Sequence, residues 1–274
     1  MPRSSPILCG SIAGSIGGTG VLLHNAAYQA AGIPYCYVSF EPSGAEAAIA
    51  AVRALGIRGL GVTMPYKIEV MQYLDRLDET ARQIGAVNTI VNDAGVLTGY
   101  NTDWTGAVEG LRAVTDFRGR RAALFGAGGA ARAILYGLLR EGAQVDLFNR
   151  DAQRGRELCA RFPNATYAGN MSEFDKTAGY DIVVNATSVG FQSGETLLRA
   201  EQFPPEAAVL DVVFKPFDTA FAAEAEKAGC RVVPGYTMLI LQALAQDELY
   251  TGQRLSYEVM ERVLRAKRDA TDQK

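Results

Sequence analysis

The sequence predicts an α/β protein of two domains with mainly parallel strands. Three observations carry this. Short apolar runs alternate with helical periodicity along the whole chain, the pattern of strands joined by crossover helices. The alternation restarts in the middle of the chain at a glycine-rich turn between a strand-like and a helix-like segment. At 274 residues the chain also exceeds the roughly 100–200 residues usual for one domain.

Taken in order, Ile7 to Ile12 reads as a strand, and Val21 to Ala31 as a helix ended by Gly32 and Pro34. Tyr35 to Phe40 is a second strand, Ala45 to Leu55 a helix, and Arg58 to Thr63 the next strand. Pro65 then breaks the chain ahead of an expected further helix. Val87 to Val91 and Val96 to Tyr100 read as a strand pair, with Asn92, Asp93 and Gly95 supplying the turn. After a helix near Asp103 to Val114 the pattern restarts. Arg120 to Phe125 is a buried strand, Gly126 to Gly129 a turn, Ala130 to Arg140 a helix and Gln144 to Phe148 a strand. Ile182 to Asn185, Val209 to Val213 and Arg231 to Val233 read as further strands. Helices near Met238 to Tyr250 and Tyr257 to Arg268 close the chain, and periodicity alone leaves open which domain they pack on.

Composition narrows the function. A formal net charge of −3 argues against a nucleic-acid partner, and the basic run Arg262, Arg265, Lys267, Arg268 reads as a solvated helix end. The four cysteines, Cys9, Cys36, Cys159 and Cys230, form no CxxC pair and His24 is the only histidine, so no metal site is expected. Scattered thiols fit a reducing compartment, and the expected location is cytoplasmic. The N-terminal segment does not read as a secretory leader. No apolar run approaches the roughly 18 residues of a spanning helix, so no membrane association is expected.

The segment RAALFGAGGAARAILYGLL fits GxGxx[GA], with Gly126, Gly128 and Ala131 at the required places. Gly126 permits a tight turn, Gly128 lets backbone approach a pyrophosphate, and Ala131 lets the helix pack close to the sheet. Gly126, Ala127, Gly128, Gly129 and Ala130 are therefore expected to cradle a dinucleotide on free N–H groups. About 20 residues on, where an acid would read the ribose, Asp146 lies inside a strand and the tip is Asn149-Arg150. Neutral Asn149 with Arg150 and Arg154 offers cations for a 2′-phosphate, which predicts NADP, with NAD possible because Asp151 adds opposing charge.

A nicotinamide enzyme also needs a proton donor beside the reacting carbon. Lys67 in GVTMPYK follows a predicted strand, and Asn88 in IGAVNT and Asp103 in GYNTD lie at the ends of the predicted strand pair. Ligands gather at such strand ends in open α/β sheets. The motifs GVTMPYK, IGAVNT, GYNTD, FGAGGAARA, NR, VNATSVG, DVVFKP and GYTMLILQ occur in the order found in shikimate dehydrogenases, and the chain resembles that family from Leu22 to about Gly252.

The resemblance implies a substrate-binding catalytic domain (1–103 and 237–274) and an NADP-binding Rossmann-type domain (104–236), with the C-terminal helices returning to the first. It implies Lys67 and Asp103, both in the first domain, as the catalytic pair facing the cofactor across a cleft, with Thr63, Asn88 and Gln242 holding substrate hydroxyls. Thr187, Gly235 and Met238 would lie near the nicotinamide, although Met238 reads equally well as a core residue. The implied partner is a small hydroxylated ring acid, the implied assembly a monomer or homodimer. Four positions depart from the family pattern. Gly18 and Gly20 stand where a Ser-x-Ser pair holds the substrate carboxylate, Gly61 stands for an asparagine, and Phe214 for a tyrosine. Ser15, Thr19 or glycine N–H groups could take over the carboxylate. Three functions follow: interconversion of shikimate and 3-dehydroshikimate, the same chemistry on quinate, aminoshikimate or a related ring acid, or a cofactor-binding regulatory protein with little catalysis.

Overall fold

The computed structural model describes residues 5–14 and 17–272. Met1–Thr102 with Gln242–Lys274 form one compact unit, and Asp103–Leu241 a second.

In the first unit the elements are β1 (Ile7–Ile12), α1 (Thr19–Ala31), β2 (Tyr35–Phe40), α2 (Ala45–Leu55), β3 (Gly59–Val62), β4 (Arg76–Leu77), α3 (Glu79–Ile84), β5 (Thr89–Asp93) and β6 (Val96–Tyr100). The sheet order is β2-β1-β3-β5-β6-β4. It is mixed rather than parallel throughout: β1 runs parallel to β2 and β3, but β5 is antiparallel to β3 and β6. The β5–β6 connection turns on Ala94 and Gly95, both at positive φ (52° and 96°), the backbone a two-residue hairpin requires. The helix expected after Pro65 is only a 3-10 turn at Glu69–Tyr73, because Val70 alone of its residues is buried. Amphipathic α2 buries Ala45, Ala48, Ile49 and Val52 against a core that includes Leu60, Val62, Ile90 and Leu97.

In the second unit come α4 (Asp103–Arg112), β7 (Arg121–Phe125), α5 (Gly129–Arg140), β8 (Gln144–Phe148), α6 (Ala152–Ala160), β9 (Ala165–Gly169), β10 (Ile182–Asn185), β11 (Ala208–Asp211), α7 (Ala220–Lys227) and β12 (Arg231–Val233). All six strands are parallel in the order β12-β11-β10-β7-β8-β9. The chain thus builds outward from β7 in one direction and resumes from β10 in the other, so the switch point lies between β7 and β10. Gly137 lets α5 lie tight on α4, since a Cβ there would be 2.7 Å from Val108 Cγ2.

Helix α8 (Gly235–Thr251) begins in the second unit and ends in the first, and α9 (Tyr257–Asp272) follows and packs on α1. Within the first unit α8 lies close on the sheet through glycines: a Cβ on Gly59 would fall 2.2 Å from the fully buried Tyr250 ring.

Candidate active site

The carboxyl edge of the first sheet is assembled around Asn88. Because β5 is antiparallel to β3, the start of β5 and the end of β3 share one edge, with Thr63 just beyond Val62 and Asn88 just before Thr89. The Asn88 side chain is buried and directionally fixed. Its Oδ1 accepts from Thr102 N (2.7 Å) and Thr89 Oγ1 (2.7 Å), and its Nδ2 donates to Thr102 Oγ1 (2.9 Å) and Gln242 Oε1 (3.3 Å). Gln246 Nε2 donates to Asn88 O (3.1 Å) and Thr89 Oγ1 (3.0 Å), which ties α8 to the same edge. Thr63 is exposed and Lys67 half-buried, and the Lys67 carbonyl accepts from Val87 N at 2.7 Å. Asn88 and Gln242 are therefore brought together, with Thr63 on the same sheet edge. Lys67 belongs to the first unit, while Asp103, buried and opening α4, belongs to the second.

At the start of α1, Gly18 adopts left-handed geometry (φ 66°) and no side chain caps the helix. The Thr19 hydroxyl is buried and has no hydrogen-bond partner among the described residues. This gives Thr19 a polar group to spare beside helix N–H groups that no side chain caps. Ser15 lies outside the described residues.

Three contacts invisible in the sequence underpin this edge. His24 Nδ1 and Asp247 Oδ1 are 2.7 Å apart, both side chains buried, and Tyr28 Oη donates to the same oxygen at 2.6 Å. His24 stacks on Tyr37 with ring centroids 4.0 Å apart. A Cβ on Gly61 would lie 2.7 Å from the Tyr37 hydroxyl, so a tyrosine fills the space a side chain at 61 would need. Burial, reinforced by the Asp247 charge, pushes the Cys9 thiol up to about 12, which makes it an inert core group.

The second unit presents the glycine turn at its switch point. Gly126 has φ 112°, and a Cβ there would fall 2.7 Å from Ala186 O, so only glycine fits. At Gly128 a Cβ would meet no atom within 4 Å, and no side chain caps α5. Ala127, Gly129 and Ala130 continue an accessible ledge, while Ala131 is fully buried against the sheet. Thr187 is half-buried just after β10, Gly235 is buried at the start of α8, and Met238 is packed in the second unit's core at 6% exposure.

At the tip of β8, Asn149 Nδ2 donates to Asp151 O at 2.7 Å. Asp151 caps α6 through Arg154 N at 3.1 Å, so its charge is engaged with helix N–H groups. Arg154 is exposed beside Asp151, 3.5 Å away, whereas Arg150 and Arg156 line a cavity of about 420 Å³ with Tyr167, Asn170 and Glu173. Asp146 pairs with Arg121 at 2.6 Å inside the sheet, which accounts for an acid there without any ribose. Among the described residues no group of three or more His, Cys, Asp or Glu could hold a metal ion, and no helix is long and apolar enough to cross a membrane.

Comparison with known proteins matches both halves in order. Residues 19–90 match the shikimate dehydrogenase substrate binding domain and residues 109–204 the shikimate / quinate 5-dehydrogenase domain. A shikimate dehydrogenase (NADP(+)) of Pyrococcus abyssi is 42% identical over 88% of this chain and 90% of its own. A crystal structure of a shikimate dehydrogenase in complex with NADP+ superposes with TM-score 0.88 at 31% identity, over 97% of this chain and 99% of its own. The ligand-free 5-ketofructose reductase of Gluconobacter sp. strain CHM43 does so with TM-score 0.88 at 32% identity, over 96% and 99%. With an open glycine turn at the switch point, an oriented asparagine edge, and relatives matched across nearly the whole length, the chain belongs to the shikimate dehydrogenase family.

Proposed function

We propose that the protein is an NADP-dependent dehydrogenase that interconverts shikimate and 3-dehydroshikimate. The observation that carries the reading is the turn at Gly126–Gly128, uncapped and open at the switch point, in a chain whose relatives are NADP-dependent shikimate dehydrogenases. The residues present fit the dinucleotide. The N–H groups of Ala127 to Ala130 would take the pyrophosphate, and Asn149, Arg150 and Arg154 the adenosine side with its 2′-phosphate. Thr187, Gly235 and Met238 would lie at the nicotinamide end. When bound, the cofactor supplies the hydride donor and acceptor. The segment 1–103 with 237–274 would serve as the substrate domain and 104–236 as the cofactor domain.

The chain's own residues do the rest. Asn88, locked by Thr102 and Thr89, would exchange its Nδ2 contact to Gln242 for a ring hydroxyl, and Thr63 adds a hydroxyl at the same edge. Lys67 holds a proton at Nζ and gives it to the oxygen of the ketone being reduced. Asp103 would take a hydrogen bond from the substrate hydroxyl in the reverse direction. The unpartnered Thr19 hydroxyl and the first N–H groups of α1 would take the carboxylate that Gly18 and Gly20 lack side chains to hold. The four cysteines are all unpaired, which fits the cytoplasm, and we take the assembly to be a monomer or homodimer.

A second reading, reduction of a neutral polyhydroxy ketone, is favoured by those same glycines and by the likeness to the 5-ketofructose reductase. Steady-state assays with shikimate, quinate and 5-ketofructose decide between them. NADP-linked turnover of shikimate that falls about 10²–10⁴-fold in Lys67→Ala, with the NADP KM unchanged, is expected. Turnover of 5-ketofructose alone would establish the second reading, and NADP binding without turnover would reduce the protein to a cofactor sensor.

A further inference from the structure

Two segments assigned above to the nicotinamide end are tied to one buried carboxylate. Asp211 closes β11 and is wholly buried. Its Oδ1 accepts from Asn185 Nδ2 (2.9 Å) and Val213 N (3.0 Å), and its Oδ2 accepts from Thr219 Oγ1 (2.6 Å). Asn185 closes β10 and is equally buried; its Oδ1 accepts from both Thr187 N (3.0 Å) and Thr187 Oγ1 (2.7 Å). Thr187 Oγ1 in turn accepts from Val189 N at 3.0 Å.

An amide has a donor end and an acceptor end of nearly equal size, so something must choose between them. An ionised carboxylate can only accept. Asp211, together with the Val189 carbonyl that accepts from the same Nδ2 at 3.2 Å, therefore turns the Asn185 NH₂ toward itself and the Asn185 carbonyl toward Thr187. The turn fixed in this way presses on the glycine fingerprint, because the Ala186 carbonyl is what would meet a Cβ at Gly126. On its other side Asp211 holds Val213, whose carbonyl lies 2.2 Å from where a Gly235 Cβ would be. A burial cost that pushes Asp211 up to about 6 survives in the fold although an apolar residue would avoid it.

We propose that Asp211 is a positioning residue for the cofactor. Acting through the Asn185 amide and the Val213 N–H, it sets the 186–189 turn and the backbone after β11 that receive the nicotinamide half of the dinucleotide. The proposal rests on the NADP-dehydrogenase reading above. It differs from a merely structural role in which Asp211 anchors α7 through Thr219, whose hydroxyl caps that helix by accepting from Ala222 N at 3.2 Å.

The test is a double-mutant cycle on NADP affinity, read by titration calorimetry, with Asp211→Ala, Asn185→Ala and the double variant. Asp211→Ala is expected to weaken NADP by about tenfold or more, as loss of a charged hydrogen-bond partner does. The shikimate KM at saturating NADP should stay near the wild-type value. The double variant should bind no more weakly than the weaker single, because the two residues act in series. Asp211→Asn, whose carbonyl still accepts from Asn185 while its NH₂ faces Thr219, should restore affinity. Thr219→Val, which cuts only the α7 anchor, should bind NADP normally. Wild-type affinity in a folded Asp211→Ala, additive losses in the cycle, or a Thr219→Val that reproduces the loss would each overturn the proposal. If the alanine variants fail to fold, the near-isosteric Asn185→Asp, which removes the donor to Asp211, decides: weakened NADP supports the proposal and unchanged NADP overturns it. A wild-type protein that fails to bind NADP would instead overturn the functional reading on which this rests.

Discussion

Replacing Asp211 with asparagine should stabilise the second unit, and should do so more as the pH rises. Burial raises this carboxyl from its ordinary 3.8 to about 6, against the opposing hydrogen bonds from Thr219, Val213 N and Asn185. Below about pH 4 the acid is protonated in both folded and unfolded chains, and it contributes no pH dependence. Between about pH 4 and 6 the folded chain holds a proton that the unfolded chain releases, so raising the pH favours unfolding. Above about 6 the wild type carries the whole cost, about 3 kcal/mol at 1.4 kcal/mol per pH unit. Asparagine never ionises and escapes it. The stability of Asp211→Asn relative to wild type should therefore climb by up to about 3 kcal/mol between pH 4 and pH 7, on top of a constant offset for the altered hydrogen bonds. None of the partner groups titrates, which makes the slope the property of Asp211 itself. Trp104, the single tryptophan, sits in the second unit against Tyr136 and Arg140, so urea unfolding followed by its fluorescence reports on the right unit. Parallel wild-type and variant stabilities across this pH range would refute the reasoning, and so would a difference that shrinks as the pH rises.

Two further outcomes follow from single contacts. Gly59→Ala puts a methyl 2.2 Å from the Tyr250 ring, so it should lower the unfolding free energy of the first unit by about 1–3 kcal/mol; an unchanged denaturation midpoint would show that α8 can shift freely. Arg150→Ala removes a cation from the cavity beside β8 and should weaken NADP by about tenfold to a hundredfold while leaving NAD nearly unaffected. Equal losses for both cofactors, measured by titration, would place the 2′-phosphate elsewhere.

What could be read in advance was local. The spans Ala45–Leu55, Gln144–Phe148 and Ile182–Asn185 coincide with α2, β8 and β10, because each is bounded by residues that stop its own period. The glycine turn was legible because its requirement is steric and belongs to one backbone position. Elements with little apolar content carry no periodic signal. Helix α6 (AQRGRELCA) buries only Gly155, Leu158 and Cys159, and its clearest signal was the N-cap Asp151, which read as a stray charge near a phosphate. Helix α7 is announced in the same way by Thr219, which caps Ala222 N. Strand β9 lies half-exposed at a sheet edge and has no alternation to find. Of the residues proposed to act, Lys67, Asn88, Asp103 and Thr187 each follow or precede a strand by a few residues, where polar residues draw attention. Gln246, Asp247 and Tyr37 do not, because their partners are far away in sequence: Asp247 meets His24 and Tyr28 across more than 200 residues. In the sequence, Gly61 is simply a glycine in place of an asparagine. The structure gives it a steric cause in the Tyr37 hydroxyl.

Both units solve the same physical problem in the same way. A parallel or mixed sheet leaves backbone groups at its carboxyl edge that point at a ligand but cannot by themselves fix a side chain's orientation. In each unit a buried asparagine stands at that edge with both ends of its amide committed. Turning Asn88 over would set its NH₂ against the Thr102 N–H and would deprive the Thr89 hydroxyl of its acceptor. Turning Asn185 over would set its carbonyl against the Asp211 carboxylate and its NH₂ against the Thr187 N–H. Each stranded buried group costs about 1–3 kcal/mol, so either reversal lies several kcal/mol uphill and the oriented state is populated almost exclusively. The two amides differ in what holds them. Asn88 is held by neutral hydroxyls, amides and backbone, whereas Asn185 leans on a carboxylate, whose charge makes its orientation the more strongly enforced of the two. Hydride transfer needs its partners placed to within a fraction of an ångström, and the charge is buried in the unit proposed to receive the nicotinamide.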